Sequence, residues 1–438
     1  MPRQRWIENW PIERVAAEIS AKVESERISL RNAMEWYMAR HRFLEPIKGF
    51  IRAFCLGLFR KTLQLDWLAE TLLGVSPLSL PTYERNLLRV ILYEARYRNV
   101  DYDRLLRFAR EIHKLNLSRK DLNIIKKANL RSLTRGMKRE KRLAVTYSVP
   151  EWIVKYLLSI LDKKEALEFL RRINEPSVIW IRVNTLKIDR DSLLSKLYRR
   201  GIKAYADADL PDIIRVPRLS QNLSRLEEHR EGLFYIQDKA SAAVCHAIGE
   251  IKGIVYDACS APGGKATHAF QLSRHQADIL AAELKKKRLH SMIKTVRRLG
   301  FDINVVNTDS TRPPIRRADI IILDPDCTGL GRLGHSPEIR LWIKPSHVSY
   351  YAKLQRKLLA SLAPLLTRKG KLVYSTCTIT LEENEANTRW AMEKYGLELC
   401  KPKVDVGIEG LEGLNEARRF YPHLHDTQGF YFAVMRAS

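Results

Sequence analysis

The stretch "IVYDACSAPGGKATH", residues 254–268, decides the reading of the fold. Its apolar start has the make-up of a buried strand. The run stops at Asp257 and gives way to small residues and two adjacent glycines, Gly263 and Gly264, before a helical stretch begins. Such glycines let a backbone approach a ligand closely, and the free amides of a helix N-terminus favour negative charge. The pattern is not GxGxxG, and no Ser or Thr follows Lys265, so neither a dinucleotide fingerprint nor a P-loop is met. On spacing alone, an ordinary strand-to-helix turn stands beside a ligand loop as an equal reading.

Downstream the same alternation recurs. "ADILAAEL" (277–284), "INVVNTDS" (303–310), "ADIIILDPD" (318–326), "GKLVYSTCT" (370–378) and "GFYFAVMRA" (429–437) read as strands. Helical patterns such as "KKRLHSMIKTVRRLG" (286–300) and "YYAKLQRKLLASLAPLL" (350–366) lie between them. Strands alternating with helices predict an α/β fold, a parallel sheet covered on both faces. Glu283 closes the second strand, Asp309 the third and Asp324 the fourth. Ligands of open α/β sheets sit at the carboxyl ends of the strands, so these ends describe one pocket. Singly, each carboxylate reads as a turn or helix-capping residue. Together they suit a cationic, adenosine-bearing cofactor, with Glu283 on the ribose hydroxyls, and S-adenosylmethionine has that chemistry.

Two cysteines leave neighbouring strand ends: Cys327 in "DPDCTG" and Cys377 in "YSTCT". Thiols over a methyl-donor pocket suit methylation of a pyrimidine carbon. Carbon 5 of cytosine is too weak a nucleophile until a thiolate adds to carbon 6, after which a base must remove the carbon 5 proton. Asp324 is placed to support the ring nitrogen. Cys55, Cys245 and Cys400 are expected to be buried packing residues. No CxxC pair or metal-ligand spacing occurs, so reduced thiols and no metal are expected.

The chain of 438 residues is too long for one ordinary core, and 45% hydrophobic with 29% charged residues excludes wholesale disorder. A net charge of +26 favours a polyanionic partner, although a generally basic proteome would also produce it. No stretch is apolar enough to span a membrane, and "MPRQRWIENWPIERVAAEI" (1–19) lacks a signal-peptide core, so a cytoplasmic protein is expected. "PIERVAAEISAKV" (11–23) and "LLRVILYEARY" (87–97) carry helical periodicity, with Pro77 and Pro81 marking a break. "KKANLRSLTRGMKREKR" (126–142) reads equally as a solvated face with a linker or as an RNA-contacting edge. A small α+β segment follows, with "SVIWIRVNTLKI" (177–188) as a strand and "RDSLLSKLYRRG" (190–201) as a helix. Arg340 and Trp342 in "SPEIRLWIKP" (336–345) stand either as an RNA clamp or as a packed loop.

The motifs "DACSAPGGK" (257–265), "DPDCTG" (324–329), "YSTCT" (374–378) followed by "EENE", and "RRFYPHLHDTQGFYFAVM" (418–435) closely resemble those of Sun-domain RNA (cytosine-5) methyltransferases. "IRVNTL" (181–186) and "YIQDKAS" (235–241) match the family's preceding segment, and helical order makes the first domain similar to the NusB-like domain of the RsmB type. The resemblance implies a NusB-like RNA-binding domain over residues 1–140, a small α+β segment over 148–250, and a Rossmann-like class I methyltransferase domain over 251–438. It implies Cys377 as nucleophile and Cys327 as the aid to release, with Asp324 and Lys265 completing the catalytic set. S-adenosylmethionine would be held by Cys259, Ser260, Ala261, Pro262, Gly263, Gly264, Lys265, Glu283, Arg288, Asp309 and Asp324.

The implied substrate is a cytosine in a single-stranded or looped part of rRNA or tRNA, because the base must leave the stack to meet a thiol. A monomer without metal or membrane association is expected. Asp326 stands where the family has proline, which loosens the loop, and its charge is expected to raise the Cys327 thiol pKa. The alternatives are an impaired RNA-binding or ribosome-assembly factor that retains the fold, and an amino- or hydroxyl-group methyltransferase. The latter would leave Cys377 without a task.

Overall fold

The computed structural model describes residues 11–113, 115–217 and 222–438. The first ten residues, on which the reading of the N-terminus partly rests, lie outside them. The chain divides into two compact units: residues up to Glu175 together with Leu333–Ile343, and Pro176–Arg332 together with Lys344–Ser438. Among the described residues no helix is long and apolar enough to cross a membrane.

The first unit is helical. Its central helix, Thr82–Tyr97, buries Leu87, Leu88, Val90, Ile91, Leu92 and Ala95, which leaves little polar face and places it among other helices. Arg89 is also buried there. Its guanidinium meets Asp66 at 2.6 Å and Glu24 at 2.8 Å, which keeps the cation paired inside the core. Pro81 precedes this helix, as the break at Pro77 and Pro81 predicted. Helix Arg119–Lys127 opens on a capping box made by Ser118 and Asp121. Lys126 and Lys127 in its last turn, and Arg131, Arg135, Lys138, Lys141 and Arg142 beyond it, are exposed.

Arg340 is 2% exposed, which removes it from any RNA-clamping role. Its guanidinium donates to the backbone carbonyls of Arg60, Tyr147, Ser148, Ile173 and Leu333. Trp342 packs, partly buried, against the helical core. The packed-loop reading holds for both.

The second unit contains two sheets. Strands β1 (Ile179–Val183), β2 (Tyr205–Ala206), β3 (Ile213–Val216) and β4 (Phe234–Ile236) form a small antiparallel sheet in the order β2-β3-β1-β4. Helix Arg190–Arg199 contributes Leu193 and Leu197 to the core on its face. The large sheet begins with β5 (Gly253–Asp257), β6 (Ala277–Glu283), β7 (Asn304–Asn307), β8 (Ala318–Leu323) and β9 (Leu366–Thr376), parallel in the order β7-β6-β5-β8-β9. This is a Rossmann-like sheet. Its order reverses between β5 and β8, the switch point where such sheets bind ligands. Strand β13 (Phe430–Ala437) pairs antiparallel to β9. It is extended by β12 (Arg418–Phe420), β11 (Ile408–Glu409) and the edge strand β10 (Leu397–Cys400). Cys55 and Cys245 are buried as expected; Cys400 is only half-buried, because β10 lies at the edge.

Candidate active site

The loops leaving the carboxyl ends of β5, β6, β8 and β9 converge. After β5 the chain turns through Cys259, Ser260, Ala261 and Pro262 to Gly263, which has φ +97° and precedes helix Gly264–Ser273. A Cβ on Gly263 would lie 3.0 Å from Met292 Cγ in addition to the backbone strain, so the turn needs glycine. Arg182, 1% exposed on β1, anchors the turn from the small sheet, donating to the Gly264 carbonyl at 2.7 Å and to Thr267 Oγ1 at 2.9 Å. That arginine was legible only as part of "IRVNTL".

Lys265 is buried and donates to Asp324 Oδ2 at 2.5 Å and to Ser241 Oγ at 3.2 Å. Burial opposes its charge, but Asp324 outweighs burial and holds the ammonium above its ordinary range. Asp324 Oδ1 accepts from Ser375 Oγ at 3.2 Å. Neither serine stood out in the sequence, since hydroxyls flank many turns. Asp257, at the end of β5, is 1% exposed, and burial pushes its carboxyl up to about 7.

Glu283 is buried at the end of β6, where Oε1 accepts from the Lys285 amide at 2.8 Å and Oε2 lies 3.5 Å from Arg288 Nε. Arg288 also donates to the Ala261 carbonyl at 2.6 Å and lies 3.3 Å from Asp326. One guanidinium thus ties the glycine turn, the Glu283 carboxylate and the loop after β8. Asp309 lies two residues past β7, exposed, and accepts from the Thr311 amide at 2.9 Å. Its described hydrogen bond is local, whereas its neighbour Ser310 reaches back to the Ala258 carbonyl at 2.5 Å.

The two cysteines meet. Cys327 Sγ and Cys377 Sγ are 3.3 Å apart, each half-buried. The hydrogen bond from Cys327 lowers the Cys377 thiol pKa below its ordinary value, against burial and aided by Arg332. The same pairing and burial push Cys327 well up, with Glu383 and Asp324 adding to the effect. The direction expected for Cys327 is therefore found, but the expected cause is not. Asp326 turns its carboxylate to Lys285, at 3.1 Å, and to Arg288, which offset its charge. Behind the thiols two glycines touch. Gly331 N donates to the Cys377 carbonyl at 3.1 Å and Gly429 N to the Gly331 carbonyl at 2.9 Å. A Cβ on Gly331 would come within 1.8 Å of the Gly429 oxygen, so side chains are excluded there.

The donor set fits the expected cofactor. A turn without Cβ atoms at Gly263, a helix N-terminus and the strand-end carboxylates Asp257, Glu283 and Asp324 suit an adenosine bearing a sulfonium charge. The Rossmann-like sheet is that of a class I methyltransferase, and two thiols lie together past the ends of its fourth and fifth parallel strands. Three family models match in succession: the NusB family over residues 11–121, the RsmF/B-like ferredoxin-like domain over 149–221, and 16S rRNA methyltransferase RsmB/F over 249–436. The chain carries a methyltransferase region of the RsmB/F family over residues 249–436.

It is 27% identical to the probable ribosomal RNA small subunit methyltransferase B of Synechocystis sp. over 428 residues, 92% of this chain and 94% of that one. It is also 27% identical to the tRNA (cytosine(72)-C(5))-methyltransferase of Pyrococcus horikoshii over 391 residues, 67% of this chain and 99% of that one. The crystal structure of PH0851 superposes with a TM-score of 0.82 at 27% identity, covering 97% of this chain and 98% of that one.

Proposed function

We propose that this protein methylates carbon 5 of a cytosine in RNA with S-adenosylmethionine as donor, through a covalent bond between Cys377 and the base. The observation that carries the assignment of roles is the pair of sulfurs 3.3 Å apart beside the Lys265–Asp324 pair. When bound, the cofactor supplies an electrophilic methyl group. The glycine turn, Glu283, Arg288 and Asp309 are assigned to hold it.

Cys377 is the more acidic thiol, and its thiolate adds to carbon 6 of the ring. The Lys265–Asp324 pair holds an exchangeable proton for the ring nitrogen as electrons move onto it. Once the Cys377 sulfur is bonded to carbon, it no longer competes with its neighbour for charge. Two of the causes that hold the Cys327 thiol up, its hydrogen bond and its repulsion with Cys377, then vanish. Cys327 can then release its own proton to solvent, and the resulting thiolate is a base at the stage that needs one. It takes the carbon 5 proton, and the Cys377–carbon 6 bond breaks to restore the thiolate.

Small-subunit rRNA is the substrate class favoured here. The Synechocystis relative matches over both the NusB-family and methyltransferase regions, whereas the tRNA enzyme matches over 67% of the chain. The target cytosine is single-stranded or in a loop. The protein is assigned to the cytoplasm as a monomer, and the reaction described requires no metal. The test is transfer of labelled methyl from S-adenosylmethionine to rRNA and tRNA prepared from cells lacking the gene. Methylation of rRNA by the wild type and none by Cys377→Ala is expected. Equal transfer by Cys377→Ala would overturn the assigned mechanism.

A further inference from the structure

Each active-site cysteine is followed by a threonine, Thr328 and Thr378, and both are buried. Their hydroxyl oxygens lie 2.6 Å apart, so the two cysteine loops are bonded directly behind the thiols. The Thr328 hydroxyl donates to Glu383 Oε1 at 2.5 Å and its amide donates to Oε2 at 3.0 Å. A hydroxyl has one proton to give, so Thr378 must be the donor to Thr328. The chain of bonds therefore runs one way, from Thr378 through Thr328 to the carboxylate.

Glu383 has no exposed surface. It accepts also from Thr380 Oγ1 at 2.8 Å and from Gln355 Nε2 at 3.0 Å. The same Gln355 nitrogen donates to the Asp326 carbonyl at 3.2 Å, so both flanks of Cys327 are fixed to one carboxylate. Four donors aimed at one buried group call for its ionised form. Nothing in the chemistry proposed above uses Glu383, and a charge with no exposure is costly unless its arrangement is needed.

We propose that Glu383 is a positioning residue that holds the Cys327 and Cys377 loops in register through Thr328 and Thr378, and so keeps the two sulfurs in hydrogen-bond contact. This inference rests on the assigned roles of the thiols. It predicts effects on the thiols themselves, apart from the fold and apart from RNA affinity. The informative variants are Thr328→Val, which keeps shape and deletes the relay hydroxyl, Thr328→Ser, which restores it, and Glu383→Gln.

Two readouts are taken on the full-length protein. The first is the pH dependence of iodoacetamide alkylation at Cys377, followed by peptide mass spectrometry. The second is kcat and KM for methyl transfer to RNA, with melting temperature as the control. In Thr328→Val the alkylation midpoint rises by about one pH unit as the sulfur contact loosens. Its kcat falls between about 10- and 100-fold with KM for RNA little changed, the size of effect that sub-ångström to ångström misplacement produces. Thr328→Ser returns both toward wild type, and Glu383→Gln behaves as Thr328→Val.

A wild-type alkylation profile and kcat in both Thr328→Val and Glu383→Gln overturn the proposal. So does a kcat that falls only in proportion to folded protein. Alkylation needs neither RNA nor cofactor. A wild type that transfers no methyl group would therefore sink the functional reading, while the alkylation midpoints would still decide the clamp.

Discussion

At the scale of single residues, the hydrogen bond that two sulfurs share separates their acidities, and the proposed division of roles rests on that difference. Replacing Cys377 removes the active-site thiol whose pKa is lowered, and Cys377→Ala is expected to abolish turnover, read as methyl incorporation into RNA. Cys327→Ala leaves the nucleophile but not the base, so a covalent RNA–protein adduct should accumulate on a denaturing gel. Full turnover without adduct would remove Cys327 from the release step. Asp326 is a milder matter. Its partners Lys285 and Arg288 are substantially exposed, and such pairs contribute ~0–1 kcal/mol, so Asp326→Ala should shift urea stability by no more than that. Both cysteines, Asp324 and Glu283 were legible in the sequence because each stands at or just past a strand end, and Lys265 because it follows the paired glycines. Ser241, Ser375 and Thr328 were not, because a hydroxyl declares its role only through the partner that the fold brings to it.

At the scale of elements, the parallel strands were readable from their apolar runs, and the carboxyl-end pocket followed from their order. The antiparallel extension was readable only in β13. Strands β11 and β12 are two and three residues long, too short for any periodicity. What fixes this extension is a pair that sequence spacing conceals. Arg419 on β12 and Glu385, at the start of helix Glu385–Tyr395, are both buried and share two hydrogen bonds, at 2.6 and 2.5 Å. Arg419 also donates to the Ile379 carbonyl at 3.0 Å, in the loop that follows Cys377. Removing one partner leaves an uncompensated buried charge, so Arg419→Ala should cost ~3–5 kcal/mol in urea unfolding. A cost below about 1 kcal/mol, the level of an exposed pair, would contradict this account.

At the scale of the whole molecule, stability and binding follow charge in opposite directions. Asp212 joins the small sheet to two helices of the large one. Its oxygens meet His246 Nε2 at 2.7 Å, His268 Nε2 at 2.8 Å and Gln271 Nε2 at 2.9 Å. Burial lowers the pKa of His268 to about 3, although Asp212 pulls it the other way. The unfolded chain takes up this proton near ~6.5, so stability is full above that pH and is lost as pH falls toward the folded value. The melting temperature should therefore drop on acidification below about pH 6, with a smaller drop in His268→Gln.

RNA affinity, by contrast, should weaken as salt rises, because a chain of net charge +26 releases counterions from each phosphate it neutralises. The charge was plain in the sequence; the buried Asp212 cluster was not, since its members lie far apart along the chain. The central claim is carbon 5 chemistry through Cys377. RNA carrying tritium on carbon 5 of cytosine tests it directly. Release of tritium to water in step with methyl transfer, lost in Cys377→Ala, is the predicted result. Methyl transfer with the tritium retained would contradict it.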